Sequence, residues 1–551
     1  MSESTSTAAL DELFQPLNRS DAPGLVVGVA RHGKLLYRRG FGLASIEHGR
    51  ANTPTTRMRI GSTSKHFTCL AALLLAEDGK LNIDGGVRTY LPELPLLKGE
   101  PTLRQFMNHT SGYRCYLDVN SMASSMAVPP RGAALATLVG QTEVNFAPGE
   151  KMMYNNGGYH LLSLVIQKVS GQPFEQFLKE RIFTPLGMVD TVSMPSDMAI
   201  LPGVATLHVP QPPELGGGWR RGLFPSEEVR GEGAMVSTVD DMLVWLAHLR
   251  SPRKIVGSVA SWEQMVTLTR LDNGVVSPYA LGLMRHPYRG VEVIHHAGGV
   301  VGGTCQMLTV PSHGLDIIMM INGAPADPRE LANKIVDRVL GDSVLGAVVK
   351  KPAAARFKAM LGSRYHAPGS GLVFGFAEAA EGRLGLSFLN SPPVPLREEG
   401  DTLRLGFEDV ALGPLELKTA QLATEGEAPA ALDFSEAGHG ERFERLPATP
   451  PALAEVAAPL LGRYKARDLD ADATLCFVGE QLQLQIRGPY GPNPIALEAF
   501  SAEVFGWKDL DPAQQNGGMG ALSVERREGR VMGFRLNTSR TRHMWFERQA
   551  D

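Results

Sequence analysis

Hydrophobic and polar positions follow two different rhythms along this chain, and the change comes near residue 345. Before it, apolar residues recur at helical spacing. Leu161, Leu162, Val165, Ile166 and Val169 fall on one face of a 3.6-residue period that Gly171 ends, and the run Phe67 to Leu75 predicts a buried helix after a polar start. Strand patterns occupy both ends of the same region. Leu25 to Ala30 and Lys34 to Arg38, joined at His32-Gly33, read as a hairpin, and Val291 to Ile294, Cys305 to Val310 and Leu315 to Ile321 as three further antiparallel strands. The expectation is an α/β unit with its active cleft between an antiparallel sheet and a helical insert.

After residue 345, strand alternation and turns dominate. Leu361-Gly362-Ser363-Arg364-Tyr365 opens one segment, and Leu461-Gly462-Arg463-Tyr464 opens another behind the proline-rich linker Leu446 to Pro451. Each precedes an apolar run, Gly371 to Phe376 and Ala473 to Val478. These predict two related antiparallel β-barrels of about a hundred residues each. The expected domains are 1–345, 351–446 and 455–551, a multidomain α/β plus all-β chain.

Composition narrows the picture only a little. A chain of 551 residues with 43% hydrophobic and 20% charged content has ample core for several domains. A net charge of −4 gives no reason to expect nucleic acid or an anionic membrane as partner. No run of eighteen apolar residues occurs, and the amino-terminal stretch lacks the basic leader and apolar core of a secretory signal, so a soluble, cytoplasmic protein is expected. The cysteines, Cys69, Cys115, Cys305 and Cys476, lack metal-ligand or redox spacing, and the 14 histidines form no metal-binding pair with a nearby glutamate. No metal or organic cofactor is expected.

Three clusters carry chemistry. Ser62 and Lys65 stand one helical turn apart at the start of the Phe67 to Leu75 helix, where the amine can reach the hydroxyl. Burial would bring the lysine toward neutrality, and the helix N-terminus would favour an alkoxide. Tyr154 and Asn156 follow the turn Phe146 to Glu150 and sit at the entrance of the Leu161 to Val169 helix. His296, Gly298 and Gly299 follow the strand from Val291 and offer backbone N–H groups. Ser-x-x-Lys alone is weak evidence; the three together are not.

In this order and context the clusters resemble the serine penicillin-recognising enzymes: class C beta-lactamases, DD-peptidases, family VIII esterases and D-stereospecific aminopeptidases. Asn108 to Gly112, Ile182 to Met188 and Gly231 to Thr238 also look like the family. The resemblance implies a beta-lactamase/transpeptidase-like catalytic domain, with Ser62 as nucleophile, Lys65 and Tyr154 as a coupled proton-transfer pair, and Ser62 and Gly299 N–H groups as oxyanion hole. Which of Lys65 and Tyr154 is the base stays open. Asn156 would bind the substrate amide or Lys65. A histidine at 296, where a lysine would be a permanent cation, disfavours carboxylate-ended substrates. His295 reads as a structural histidine.

Paired C-terminal barrels are similar to those of the D-stereospecific aminopeptidases, which implies release of N-terminal D-residues from short peptides, amides or esters. It also allows a homodimer. In that subgroup a loop of the last domain carries a carboxylate to the substrate amine. Here the corresponding stretch is 508–518, with Asp511 as candidate and Asp509 close behind. The alternatives are a carboxylesterase or beta-lactam hydrolase on the same scaffold, and a non-catalytic peptide binder.

Overall fold

The computed structural model describes residues 3–550 apart from 224–226, 390, 407–408, 410–413 and 511–517. A six-stranded antiparallel sheet organises the first domain. Its strands are β1 (Leu25–Arg31), β2 (Lys34–Phe41), β3 (Met284–Tyr288), β4 (Val291–Val300), β5 (Gly303–Val310) and β6 (Leu315–Ile321), in the order β3-β4-β5-β6-β1-β2. The first and last strands of the domain therefore meet at its centre, where Gly28 pairs with Ile318.

Alternation along β1 separates two cores. Leu25, Val27 and Val29 face α1 (Glu3–Phe14) and α6 (Pro328–Leu340), packing with Leu10, Phe14, Ile335 and Val336. Val26, Ile318 and Met320 face the helical insert, where α2 (Lys65–Glu77), α4 (Asn156–Ser170) and α5 (Val239–Arg250) pack with them. Alternation of period two meets helices of period 3.6 on both faces, which buries the sheet centre completely.

β4 is longer than its apolar pattern suggests. It runs through Gly298 and Gly299 to Val300, residues that carry little strand propensity of their own. β3 pairs only with residues 291–295 of it, so the 296–300 edge is left to face the Gly61–Ser64 turn.

The second region is one nine-stranded antiparallel sheet between Arg364 and Arg445. Its two edge strands, Val394–Pro395 and Arg397–Glu399, are separated by Leu396 alone. A single residue spans only about 3.5 Å, so the sheet must curl until its edges nearly meet: a barrel in shape, unclosed in hydrogen bonding. The third is a closed eight-stranded barrel from Gly462 to Arg548. Tyr365 and Tyr464, the matching residues of the two Leu-Gly motifs, are both buried and both donate to backbone carbonyls, of Pro429 at 3.0 Å and Leu460 at 2.5 Å.

α3 (Tyr116–Ser124) bridges the first domain to the closed barrel, its Val119 and Met122 joining the barrel's apolar core. The wholly buried Arg114 beside it reaches Asp468 at 2.5 Å and the carbonyls of Arg542 and His543 at 3.2 and 3.0 Å. Among the described residues no helix is long and apolar enough to cross a membrane, and no group of three His, Cys, Asp or Glu could hold a metal ion.

Candidate active site

Ser62 lies in a 3₁₀ turn, Gly61–Ser64, that leads directly into α2. Ser64 fixes the turn by donating to Gly61 O at 2.6 Å and accepting from Met235 N at 3.1 Å. Gly61 is in the left-handed region, with φ +52°, and a Cβ there would meet Gly299 N at 2.7 Å. The residue before the nucleophile must therefore be glycine, and the backbone of 61–62 lies against that of 299. Gly298 is equally constrained, since a Cβ would fall 1.8 Å from Ile60 O. Ser62 itself is half-buried and Gly299 exposed. The two N–H groups proposed for an oxyanion thus border one opening.

Lys65 is completely buried. Its Nζ lies 3.0 Å from Ser62 Oγ, 2.7 Å from Asn156 Oδ1 and 2.6 Å from Glu232 O. The last two oxygens are fixed acceptors, so they take the two N–H groups of a neutral amine and leave its lone pair aimed at the Ser62 hydroxyl. Burial brings the Lys65 amine down to about 7, against the opposing pull of Glu232.

Tyr154 is 8% exposed, and its hydroxyl interacts with Ser62. Burial raises its phenol well above the ordinary value, only partly offset by Ser62 and Arg540. Its position follows from the next residue. Asn155 caps α4, accepting from Gly158 N at 3.2 Å, while its own amide groups bond Tyr113 O at 2.6 Å and His109 Nδ1 at 3.0 Å. The Lys65 ammonium position is 4.8 Å from the Tyr154 ring centre.

The structure thus brings together Ser62, Lys65, Tyr154 and Asn156. His296 lies beside them, buried against Tyr279. Nδ1 lies 2.5 Å from Ala297 O and Nε2 2.9 Å from Tyr279 OH. The first contact requires Nδ1–H as donor, which makes Nε2 the acceptor from Tyr279. Burial pushes the imidazole down to about 3, with the positive Lys65 adding to the effect. His296 is consequently a neutral, 3% exposed group with both nitrogens engaged, and any discrimination it exerts works through the β4 edge rather than through a free ring nitrogen. His295 is buried too, between His286 Nε2 at 2.9 Å and the Gln306 amide at 3.2 Å.

Asp511 lies outside the described residues. Asp509 ends the strand Val504–Asp509 and, with Asp118, Trp507, Ser539 and Arg540, lines a cavity of about 280 Å³ between α3 and the closed barrel.

Three groups escaped the sequence reading. Tyr279 is wholly buried beside His296 and Tyr154. Glu232 is a buried carboxylate, 2% exposed. It accepts from Tyr116 OH at 2.5 Å and lies 3.4 Å from His160 Nδ1. Burial works against its charge, but His160 and the hydrogen bonds outweigh it and hold the carboxyl below its usual range. Arg540 comes from the closed barrel and lies 5.9 Å from the Tyr154 ring centre. Tyr279 and Arg540 lie outside every motif, and nothing local to them signals the contact.

A Beta-lactamase family model matches residues 10–342, more than half of the chain. The chain belongs to the Beta-lactamase family. Its full length is similar to a D-aminopeptidase of Cereibacter sphaeroides, 28% identical over 560 residues that cover 98% of each protein. A D-aminopeptidase of Brucella anthropi is 27% identical over 411 residues, 70% of this chain and 74% of that one. The fold of this Beta-lactamase-family chain matches an octameric penicillin-binding protein homologue from Pyrococcus abyssi with a TM-score of 0.54 and 18% identity, over 99% of this chain and 100% of that one. A D-amino acid amidase from Ochrobactrum anthropi SV3, complexed with D-phenylalanine, matches 60% of this chain and 98% of its own, with a TM-score of 0.51 and 23% identity.

Proposed function

We infer that this protein is a serine hydrolase of the D-aminopeptidase and amidase type, acting through an acyl-enzyme on short peptides, amides or esters with a free N-terminal D-residue. The observation that carries the reading is the Lys65 amine, held by two fixed acceptors with its lone pair toward Ser62 and a proton affinity near neutrality. The full-length similarity to named D-aminopeptidases supports the substrate class.

The steps follow from these positions. Ser62 Oγ attacks the carbonyl carbon while its proton passes to Lys65, the group with a free lone pair at pH 7; Tyr154, kept protonated by burial, is the donor rather than the base. The tetrahedral oxyanion takes the N–H groups of Ser62 and Gly299, each worth on the order of a hundredfold to a thousandfold in rate. Collapse expels the amine with a proton from Tyr154, which takes in its place the proton that Lys65 received from Ser62. Water then enters where the amine left and repeats the sequence in reverse to free Ser62. Asn156 holds the lysine throughout.

Matched p-nitroanilides of D-alanine, L-alanine and N-acetyl-D-alanine test the substrate class. Preferential hydrolysis of the free-amine D-compound, abolished in Ser62→Ala, is expected. Equal rates on the D- and L-compounds, or preference for the acetylated one, would favour the esterase reading.

A further inference from the structure

We propose that Arg540 is a positioning residue for the catalytic pair: delivered by the C-terminal barrel and pinned by Asp118, its guanidinium over Tyr154 sets how the proton is shared between Lys65 and Tyr154. The inference rests on the hydrolase reading above and adds to it a role for the third domain.

Geometry carries the argument. The guanidinium carbon is 5.9 Å from the Tyr154 ring centre, and Nη2 is 3.0 Å from Asp118 Oδ1 on α3. The backbone that presents it is locked at both ends. Thr538 Oγ1 accepts from Arg540 N at 3.2 Å and Thr541 N at 2.8 Å, closing a tight turn. Asn145 of the first domain then clamps that turn, donating to Arg540 O at 2.9 Å and accepting from Arg542 N at 2.9 Å. A long, flexible side chain is thereby held in one place by a residue from each side of the domain boundary.

A fixed cation here acts on both partners in one direction. It favours the phenolate of Tyr154 and disfavours the ammonium of Lys65, and both groups are shifted down by it. The other groups facing the pair leave this effect exposed. Cys69 and Cys115 are pushed up by burial, to about 12 and about 11, and stay neutral thiols. His109 and His296 are pushed down by burial and stay neutral imidazoles. Tyr159 and Tyr279 are raised and stay phenols. Among the described residues the charges that act on the pair are Glu232, which pulls Lys65 upward, Arg540, which opposes it, and Asp118, which moderates Arg540. With Arg540 28% and Asp118 15% exposed, solvent and the counter-charge leave an influence of about one pKa unit.

The test is the rate of Ser62 labelling by a fluorophosphonate in the full chain, read from pH 5.5 to 9.5. In Arg540→Gln the limb on which labelling rises should move up by about one unit, lowering the rate at pH 7 about fivefold and recovering it at pH 9. Arg540→Lys should keep the wild-type limb, and Asp118→Asn, which frees the cation from its partner, should move it down. A limb unmoved in both Arg540→Gln and Asp118→Asn overturns the proposal. So does a defect in Arg540→Gln confined to KM for substrates bearing a free carboxylate, which would make Arg540 a substrate-binding group instead. Failure of the wild-type chain to label at Ser62 contradicts the hydrolase reading itself, a result distinct from either.

Discussion

Replacing Asn156 with aspartate changes one atom and tests what holds Lys65 near neutrality. Asn156 Oδ1 is 2.7 Å from Lys65 Nζ. A unit negative charge at that distance, at an effective dielectric of 20, would favour the ammonium by at most about 6 kcal/mol, or about four pKa units. Asn156 is half-buried, and desolvating the new carboxylate takes part of the gain. A net rise of about two units is expected, from about 7 to about 9. The free-amine fraction at pH 7 then falls from about one half to about one in a hundred, an approximately fifty-fold loss of acylation rate that raising the pH to 10 restores. The assay is stopped-flow acylation by a p-nitrophenyl ester across pH 5.5 to 10.5. Asn156→Leu, which adds no charge, should not move the limb upward. A loss in Asn156→Asp that is the same at every pH, or a limb still near 7, would refute the assignment of Lys65 as base.

Two further outcomes follow from buried charge. Lys65 falls below its ordinary 10.5 on folding, so between pH 7 and 10 the unfolded chain binds a proton that the native chain does not, and stability rises with pH in that window. Lys65→Met should remove this slope, about 1.4 kcal/mol per pH unit, as read by denaturant unfolding at pH 7, 8 and 9; a slope that persists would contradict the burial argument. Arg114→Met leaves Asp468, 9% exposed, facing an apolar side chain across the domain boundary, and should cost about 3–5 kcal/mol. Thermal unfolding should show the loss, and a Tm within about a degree of wild type would mean the contact is not what docks the barrel.

How much of this was legible in the sequence depends on the range of the interactions. Ser62, Lys65, Tyr154 and Asn156 belong to short motifs whose geometry is set by the helix that follows them, and the apolar spacing of Leu161 to Val169 marked that helix to its Gly171 cap. The hairpin at His32-Gly33 was equally local, a turn with both residues at positive φ. β4 exceeded its apolar run because Gly298 is there for close approach to Ile60, and Gly61 for close approach to the 299 backbone, not for strand propensity. The His296 motif was visible, but its hydrogen-bond partner Tyr279 packs against it from a separate segment that no local pattern marks. Arg540 reaches Tyr154 only because α3 and the barrel share a core, and no local pattern encodes that meeting. The first barrel's turn from a closed to a nearly closed sheet rests on one residue, Leu396, between its two edges.

The mechanism requires a covalent bond at Ser62. Intact mass and peptide mapping of the full chain after incubation with a fluorophosphonate, at pH 8, test it most directly. One adduct per chain on the peptide containing Ser62, absent in Ser62→Ala and greatly slowed in Lys65→Ala and Tyr154→Phe, is the expected result. Their double variant should be little slower than either single one, because residues acting as a unit do not lose rate additively. An unmodified Ser62, or an adduct that forms equally fast without Lys65, would contradict the central claim.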